Sequence, residues 1–295
     1  MDNVTHTLVG AALSHAGLKR RTALASATLM IGANFPDIDV VAVAFENSVH
    51  WRRGQTHGFL AMAILPFVLA WIMRAWDRGV RLRRTPGATP ADFRQLCILS
   101  ALAIWTHPTL DFMNTYGMRW LLPFLNKWFY ADGLFIIDLW ILLALVAGVY
   151  ASKRSGLTAP ARAALGFLAA YTIGMLGITQ LGRNAVEARF PGTRFMVAPV
   201  PLIPWERTVL IDDGTAYRRG WWSLGRGLEA PPPLIPKGDN DPAVALARQD
   251  RNVARYLVWA RFPYYRVSRE GGETVVEIVD ARYGAEWASI RVRLP

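Results

Sequence analysis

Three apolar runs limit what this 295-residue chain can fold into. They are residues 58–76, 95–112 and 163–181, and each approaches the roughly 20 residues that a helix needs to cross a bilayer. A fourth run, 134–150, is interrupted by Asp138. The chain is 53% apolar and only 19% charged, which exceeds the apolar content of an average soluble enzyme. We therefore expect a mainly α fold, a polytopic helical membrane bundle with a small C-terminal α+β domain.

Two shorter segments, residues 4–18 and 22–35, fall below the lower limit of about 17 residues for a span. They are interpreted as tilted short spans or as a hairpin that the other helices cover. If all six segments cross, 12 Lys and Arg (three, six and three) lie on one face, in loops 19–21, 74–94 and 153–162. Because positive charge marks cytoplasmic loops, the opposite face is predicted to be non-cytoplasmic.

The pattern changes near Pro191. Strand-like alternation covers residues 195–200, 207–211, 215–222, 264–268, 274–280 and 287–294, with a hairpin turn at Asp213 and Gly214. A helix is expected over 242–260 and an exposed proline-rich connection over 231–236. We expect residues 1–182 to form the membrane domain that holds the metal-site motifs. Residues 190–295 are expected to form the extramembrane α+β domain, on the non-cytoplasmic side.

The net charge of +11 raises the question of nucleic-acid binding. The excess charge lies mostly in short loops between apolar runs, where it indicates topology instead. We therefore expect membrane lipids, and no nucleic acid, as partners. The sequence does not assign an oligomeric state.

His107 and Asp111 are the clearest local signal for a site. Residues four apart share one face of a helix, so the imidazole and the carboxylate can bind the same metal, and Asn114 extends that face. A His and an Asp that satisfy each other inside a bundle are the alternative. Ionisable residues in an apolar span favour the functional interpretation.

Asp37 and Asp39 follow Pro36 and precede His57 by eighteen to twenty residues. On a strand they would point the same way, and on a turn both could reach one ion. The alternative is a turn that ends a helix. The predicted topology places them with His57, His107 and Asp111 on one face. A mixed nitrogen and oxygen set favours zinc, with manganese or iron as alternatives, over calcium or magnesium.

Several further polar residues fall on the same face. His6 is predicted to be a ligand or else an interfacial residue, and His50 a ligand, a proton donor or a loop residue. Arg52 and Arg53 could hold an anionic group or anchor lipid headgroups. Asp132 and Asp138 could support ligands from behind or pair with Arg119 or Lys127.

These motifs resemble a family of bacterial membrane proteins, the YdjM/YbcI-like inner-membrane metal-dependent hydrolases. The matching stretches are Thr5-His6 with Gly10, Asn34 to Asp39, Arg53 to Gly58, His107 to Asp111, Asn114 to Gly117 and Asp132 to Asp138. Family members often have Leu at Phe35 and Ser at Gly58. The order of His and Asp also looks like that of zinc-dependent phospholipase C. No histidine follows His107, so a second His-x-x-x-Glu motif is absent and we expect one or two metals.

The first hypothesis for function is a membrane-bound metal-dependent hydrolase of the bacterial inner membrane, acting on a phosphoester or lipid-like ester. The predicted metal ligands are His6, Asp37, Asp39, His57, His107 and Asp111. Arg53 would steady the anionic group under attack, and Asp39 could take the proton. The second hypothesis is a non-catalytic membrane protein, with a structural metal or polar network and a C-terminal domain that binds a partner.

Overall fold

The structure is a computed structural model that describes residues 1–41, 53–232, 234–285 and 287–294. Contacts group the described residues into two compact units. The first contains Met1–Val41 and Arg53–Gly177, and the second begins at Ile178. The chain is mainly helical with a C-terminal antiparallel sheet region. The predicted division into residues 1–182 and 190–295 stays a prediction.

Six helices account for most of the described part of the chain before the strands. They are α1 (Asn3–His15), α2 (Ala25–Gly32), α3 (Phe59–Trp76), α4 (Phe93–Phe112), α5 (Leu139–Ser155) and α6 (Ala159–Arg189). Asp2, Asp92 and Asp138 precede α1, α4 and α5, and each carboxylate accepts hydrogen bonds from backbone N–H groups of the first turn. These aspartates therefore fix where three of the helices begin.

Two of the described helical segments are long and apolar enough to cross a membrane, Phe59–Arg84 and Ala159–Arg189. The first is α3 with its continuation, and the second is α6. The predicted runs at 95–112 and 134–150 do form helices, α4 and most of α5. Their crossing of a membrane, like that of α1 and α2, stays a prediction.

Close packing joins α1, α2 and α4. At Gly10 a Cβ atom would lie 2.5 Å from the Leu29 carbonyl oxygen, so only glycine lets the backbones of α1 and α2 approach this closely. Leu29 is in turn buried with Leu99 and Ala103 of α4. This contact brings the end of α2 to α4, which carries His107 and Asp111.

The second unit contains two antiparallel sheets. The strands are β1 (Phe195–Val200), β2 (Ile203–Asp212), β3 (Ala216–Ser223), β4 (Gly227–Glu229), β5 (Ile235–Pro236), β6 (Pro263–Glu270), β7 (Glu273–Asp280) and β8 (Ser289–Leu294). One sheet has the order β1-β2-β3-β4 with β5 beside β3, and the other has the order β6-β7-β8. Leu210, Tyr217, Phe262 and Val279 share a buried cluster that joins the two sheets.

Two expectations for this unit need correction. The helix expected over 242–260 is two helices, α7 (Pro242–Ala247) and α8 (Arg251–Trp259), because the Asp250 carboxylate caps a new helix start. The proline-rich connection is not wholly a linker, since β5 within it pairs with β3. The proline content of this segment predicts an exposed connection, but its last two residues pair with β3 instead.

Candidate metal centre

Four buried side chains converge in the first unit. His107 and Asp111 lie one turn apart on α4, Asp37 comes from the 3₁₀ turn Phe35–Asp39, and His57 ends the turn Gln55–His57. One ligand atom from each of the four lies within 4.8 Å of the others. Three short elements that are far apart in sequence therefore build one polar cluster.

The distances within the cluster suit a single ion. His57 Nε2 lies 3.6 Å from Asp37 Oδ1 and 3.7 Å from Asp111 Oδ2, and His107 Nε2 lies 3.6 Å and 3.5 Å from the same two oxygens. Ligand atoms about 2.0–2.2 Å from one ion at tetrahedral angles lie about 3.3–3.6 Å apart. The four nitrogen–oxygen distances are close to this spacing, and the residues present fit a divalent metal.

The histidine rings have their metal-binding nitrogens directed at this cluster. His107 Nδ1 donates to the Ala33 carbonyl oxygen at 2.7 Å, so Nε2 is the ring nitrogen that faces the cluster. Neither Nε2 of His57 nor that of His107 has a hydrogen-bond partner among the described residues. Burial lowers the pKa of the His57 imidazole, which keeps it in the neutral form that metals bind.

Asp39 lies outside the four-residue cluster, behind His57. Its Oδ2 is 3.5 Å from His57 Nδ1, and the Thr56 hydroxyl is 3.0 Å from the same nitrogen. In a 3₁₀ turn, residues two apart point about 120° away from each other. Asp37 and Asp39 therefore reach the two nitrogens of His57 from different sides, and Asp39 occupies the place of a partner that orients a ligand.

The Arg53 guanidinium is buried and donates hydrogen bonds to Asp111 and its neighbours. Nε and Nη2 donate to the two oxygens of Asp111 at 2.8 Å and 2.9 Å, and Nη1 donates to Asn114 Oδ1 and the Gly117 carbonyl at 3.0 Å and 3.1 Å. The Tyr116 ring lies below the guanidinium, 4.6 Å from it. These contacts hold Asp111 in a bidentate pair, which fixes the orientation of its carboxylate.

The Arg53 backbone takes part as well. Its N–H donates to Asp39 Oδ2 at 2.7 Å, and its φ of 48° lies in the left-handed region that non-glycine residues rarely adopt. Arg53 thereby joins the turn that carries Asp39 to α4, which carries Asp111. The predicted role of Arg53 toward an anionic substrate stays a prediction.

His6 lies beside the cluster on α1. Its Nε2 is 3.3 Å from Asp111 Oδ1, its ring stacks on His107 with centroids 3.8 Å apart, and its Nδ1 has no hydrogen-bond partner among the described residues. The Met1 amino group also contacts Asp111 Oδ1. His6 therefore lies beside Oδ1 of Asp111, whereas His57 and His107 lie beside Oδ2. The ligand role of His6 stays a prediction.

The remaining predicted residues have mixed placements. Asp138 caps α5, and Asp132 is buried with a φ of 55°. His50 and Arg52 lie outside the described residues. The Ala33 carbonyl that orients His107 was not anticipated, because a backbone acceptor has no sequence signal.

The fold and the cluster define a mainly helical protein with candidate membrane spans and a buried site of metal-ligand type. The YdjM inner membrane protein family matches residues 1–183, and the chain belongs to this family of inner membrane proteins. The uncharacterized protein YfhP of Bacillus subtilis (strain 168) is similar, with 24% identity over 310 residues that cover 96% of this chain and 87% of YfhP. No solved structure matches.

Proposed function

We propose that this protein is a membrane-bound metal-dependent hydrolase. One observation carries the proposal: two buried imidazole nitrogens without hydrogen-bond partners among the described residues face two carboxylate oxygens at 3.5–3.7 Å. A polar network built only for stability satisfies its buried atoms with one another. Unsatisfied nitrogen atoms around a common centre are instead typical of a site that binds something.

Asp37, His57, His107 and Asp111 would hold the ion. The donor set favours zinc, with manganese or iron as alternatives. When bound, a divalent ion supplies Lewis-acid chemistry, which lowers the pKa of water toward neutrality and polarises an ester or phosphoryl oxygen.

The neighbouring residues keep these ligands in place. The Ala33 carbonyl holds the Nδ1 proton of His107, Thr56 and Asp39 adjoin Nδ1 of His57, and Arg53 orients Asp111. We infer that Asp39 and Arg53 are positioning residues. Asp39, a residue only 7% exposed that lies next to Nδ1 of His57, stays our candidate for accepting the proton of the attacking water.

The proposed setting is a multi-pass protein of the bacterial inner membrane, with the site and the C-terminal unit on the non-cytoplasmic side. Large apolar side chains exposed on three helices support several crossings, because they would face lipid. Examples are Phe67 and Trp71 on α3, Ile98 on α4, and Leu143 on α5. A phosphoester or lipid-like ester is the proposed substrate class in this setting.

Hydrolysis by the full chain in detergent tests the proposal. The probes are bis(nitrophenyl) phosphate and nitrophenyl acetate, assayed with metal-loaded protein, chelator-treated protein and His107→Ala. Metal-dependent turnover that His107→Ala abolishes is expected, with His15→Ala as the matched control outside the cluster. Absence of turnover with a stoichiometric metal would overturn catalysis.

A structural metal is the alternative, and cobalt substitution distinguishes it. A catalytic ion keeps a position open to small ligands, whereas a structural ion is closed. Added phosphate or azide should therefore change the visible spectrum of the cobalt-loaded protein. A spectrum that does not respond, together with a large loss of thermal stability on metal removal, would identify a structural site.

A further inference from the structure

A groove of about 590 Å³ opens between α1 and the end of α2. Its volume falls within the roughly 300–1,000 Å³ that is common for ligand pockets. Its base is fixed by Asn34, whose side-chain Nδ2 donates to Thr7 Oγ1 at 2.9 Å and to the Met30 carbonyl at 3.1 Å. These hydrogen bonds join α1, the end of α2 and the residue before the 3₁₀ turn Phe35–Asp39, which together form the groove.

The groove shares one residue, Asp37, with the candidate metal centre. Asp37 lines the groove, and its Oδ1 lies 3.6 Å from the Nε2 atoms of both His57 and His107. A molecule in the groove would therefore have one end beside the cluster. Its other end would lie among the side chains of α2 and the following turn.

The walls of the groove are mostly apolar. Met30, Ile31, Phe35 and Ile38 supply this surface, and Asp37 is the one charged residue among the described residues that line it. Apart from Asp37, the polar lining residues are Asn3, Thr7 and Asn34, so a charged ligand would lose its hydration along these walls without gaining an opposite charge. The chemistry fits a hydrocarbon chain along the walls and a polar group beside Asp37.

The rim of the groove is also apolar. Ile31 is 45% exposed and Ile38 is 52% exposed, and Val4, close to the groove on α1, is 61% exposed. In an inner membrane protein, exposed side chains of this kind contact lipid. The groove thus opens where a chain could enter directly from the bilayer.

We propose that this groove binds the hydrocarbon chain of a single-chain or double-chain phospholipid and places the head group beside Asp37. The identity of the lipid as a substrate rests on the proposed hydrolase function, but binding of its chain in the groove does not. The groove would then select long-chain esters over short ones.

Photo-crosslinking in lipid nanodiscs tests the proposal. The probe is lysophosphatidylethanolamine with a diazirine near the end of its acyl chain, and the full chain is labelled over a range of probe concentrations. Labelling of peptides that contain Met30–Ile38 is expected to saturate. Labelling of the exposed face of α3 should rise in proportion to the probe, because annular lipid has no single site.

Filling the groove should remove the saturable component. Ile31→Trp is expected to lower this labelling about tenfold, since each buried methylene group that is displaced accounts for about fourfold in binding. Ile64→Trp on α3 is the matched control, because Ile64 is 49% exposed and lies away from the groove. If Ile31→Trp does not fold, Ile31→Ala is used instead; it removes apolar wall surface and should also lower the saturable labelling, with Ile64→Ala as its control.

The outcomes separate this proposal from the hydrolase proposal. Saturable labelling that persists without metal and in His107→Ala supports the groove even if no hydrolysis is found. Labelling that never saturates, or that Ile31→Trp leaves unchanged, overturns the groove even if nitrophenyl acetate is still hydrolysed.

Discussion

Two buried carboxylates in this protein each pair with an arginine but differ in what else faces them. In the second unit, Asp280 is fully buried and accepts hydrogen bonds from the Arg261 N–H at 2.7 Å and from the Arg282 N–H, Nε and Nη2 at 2.8–3.0 Å. In the first unit, Asp111 accepts hydrogen bonds from Arg53 Nε and Nη2 at 2.8 Å and 2.9 Å, and its Oδ2 also faces two imidazole nitrogens that have no hydrogen-bond partner among the described residues. The Asp280 contacts named above are all hydrogen bonds, whereas Asp111 has in addition two nitrogen neighbours that make none.

A structural network and a binding site differ in this respect. Burial alone does not distinguish them, because both carboxylates are almost fully buried. The hydrogen bonding of the facing atoms does: the Arg261 and Arg282 N–H groups donate to Asp280, while the His57 and His107 Nε2 atoms face Asp37 and Asp111 without making a hydrogen bond. Lone pairs facing carboxylates repel unless a proton or a cation lies between them.

The largest effect is expected from removing one of the two histidines that face the carboxylates. His107→Ala should reduce the metal content of detergent-purified protein from about one ion per chain to near zero, because one of four ligands is lost. The affinity for metal should fall by more than the ~100-fold that follows from removing a residue that only hydrogen-bonds to a ligand. Elemental analysis measures it, with His15→Ala as the control. Equal metal content in both variants would show that no ion lies among these four residues.

Removing the Asp280 carboxylate should lower the stability of the second unit and leave the metal content of the protein unchanged. Asp280→Ala leaves the buried Arg282 guanidinium without this carboxylate and should cost about 3–5 kcal/mol of unfolding free energy in the second unit. Hydrogen exchange of the β6 and β7 amides measures the loss. Unchanged exchange, or a fall in metal content, would remove the contrast between the two sites.

Asp39 provides a finer test, since it adjoins a ligand without joining the cluster. Asp39→Asn should weaken metal binding by about 10–100-fold, as expected for a residue that orients a ligating histidine. Competition with a chromogenic chelator measures the affinity. Complete loss of metal would instead place Asp39 among the ligands, as the sequence alone predicted.

The sequence anticipates this site where helix periodicity applies. His107 and Asp111 are separated by one helical turn, so their common face follows from spacing. Asp37 and Asp39 diverge because their segment is a 3₁₀ turn, and the contact of Arg53 with Asp111 requires a left-handed backbone conformation. Neither the 3₁₀ turn nor the left-handed conformation follows from a periodic pattern. The residue types therefore predict which side chains belong to the site, but not which of them face the ion and which lie behind a ligand.

The smallest expected effect concerns an ion pair in the same sheet as Asp280. Arg291 Nε lies 2.8 Å from Glu277 Oε1, but the Arg291 side chain is 72% exposed. Arg291→Ala should therefore cost only about 0.2–1 kcal/mol, because water screens the exposed Arg291 charge and Glu277 keeps Arg266 Nη1 as a partner at 3.6 Å. Hydrogen exchange of β7 again gives the value. A loss as large as that for Asp280→Ala would mean that strand pairing, and not burial of the carboxylate, sets the stability of this sheet.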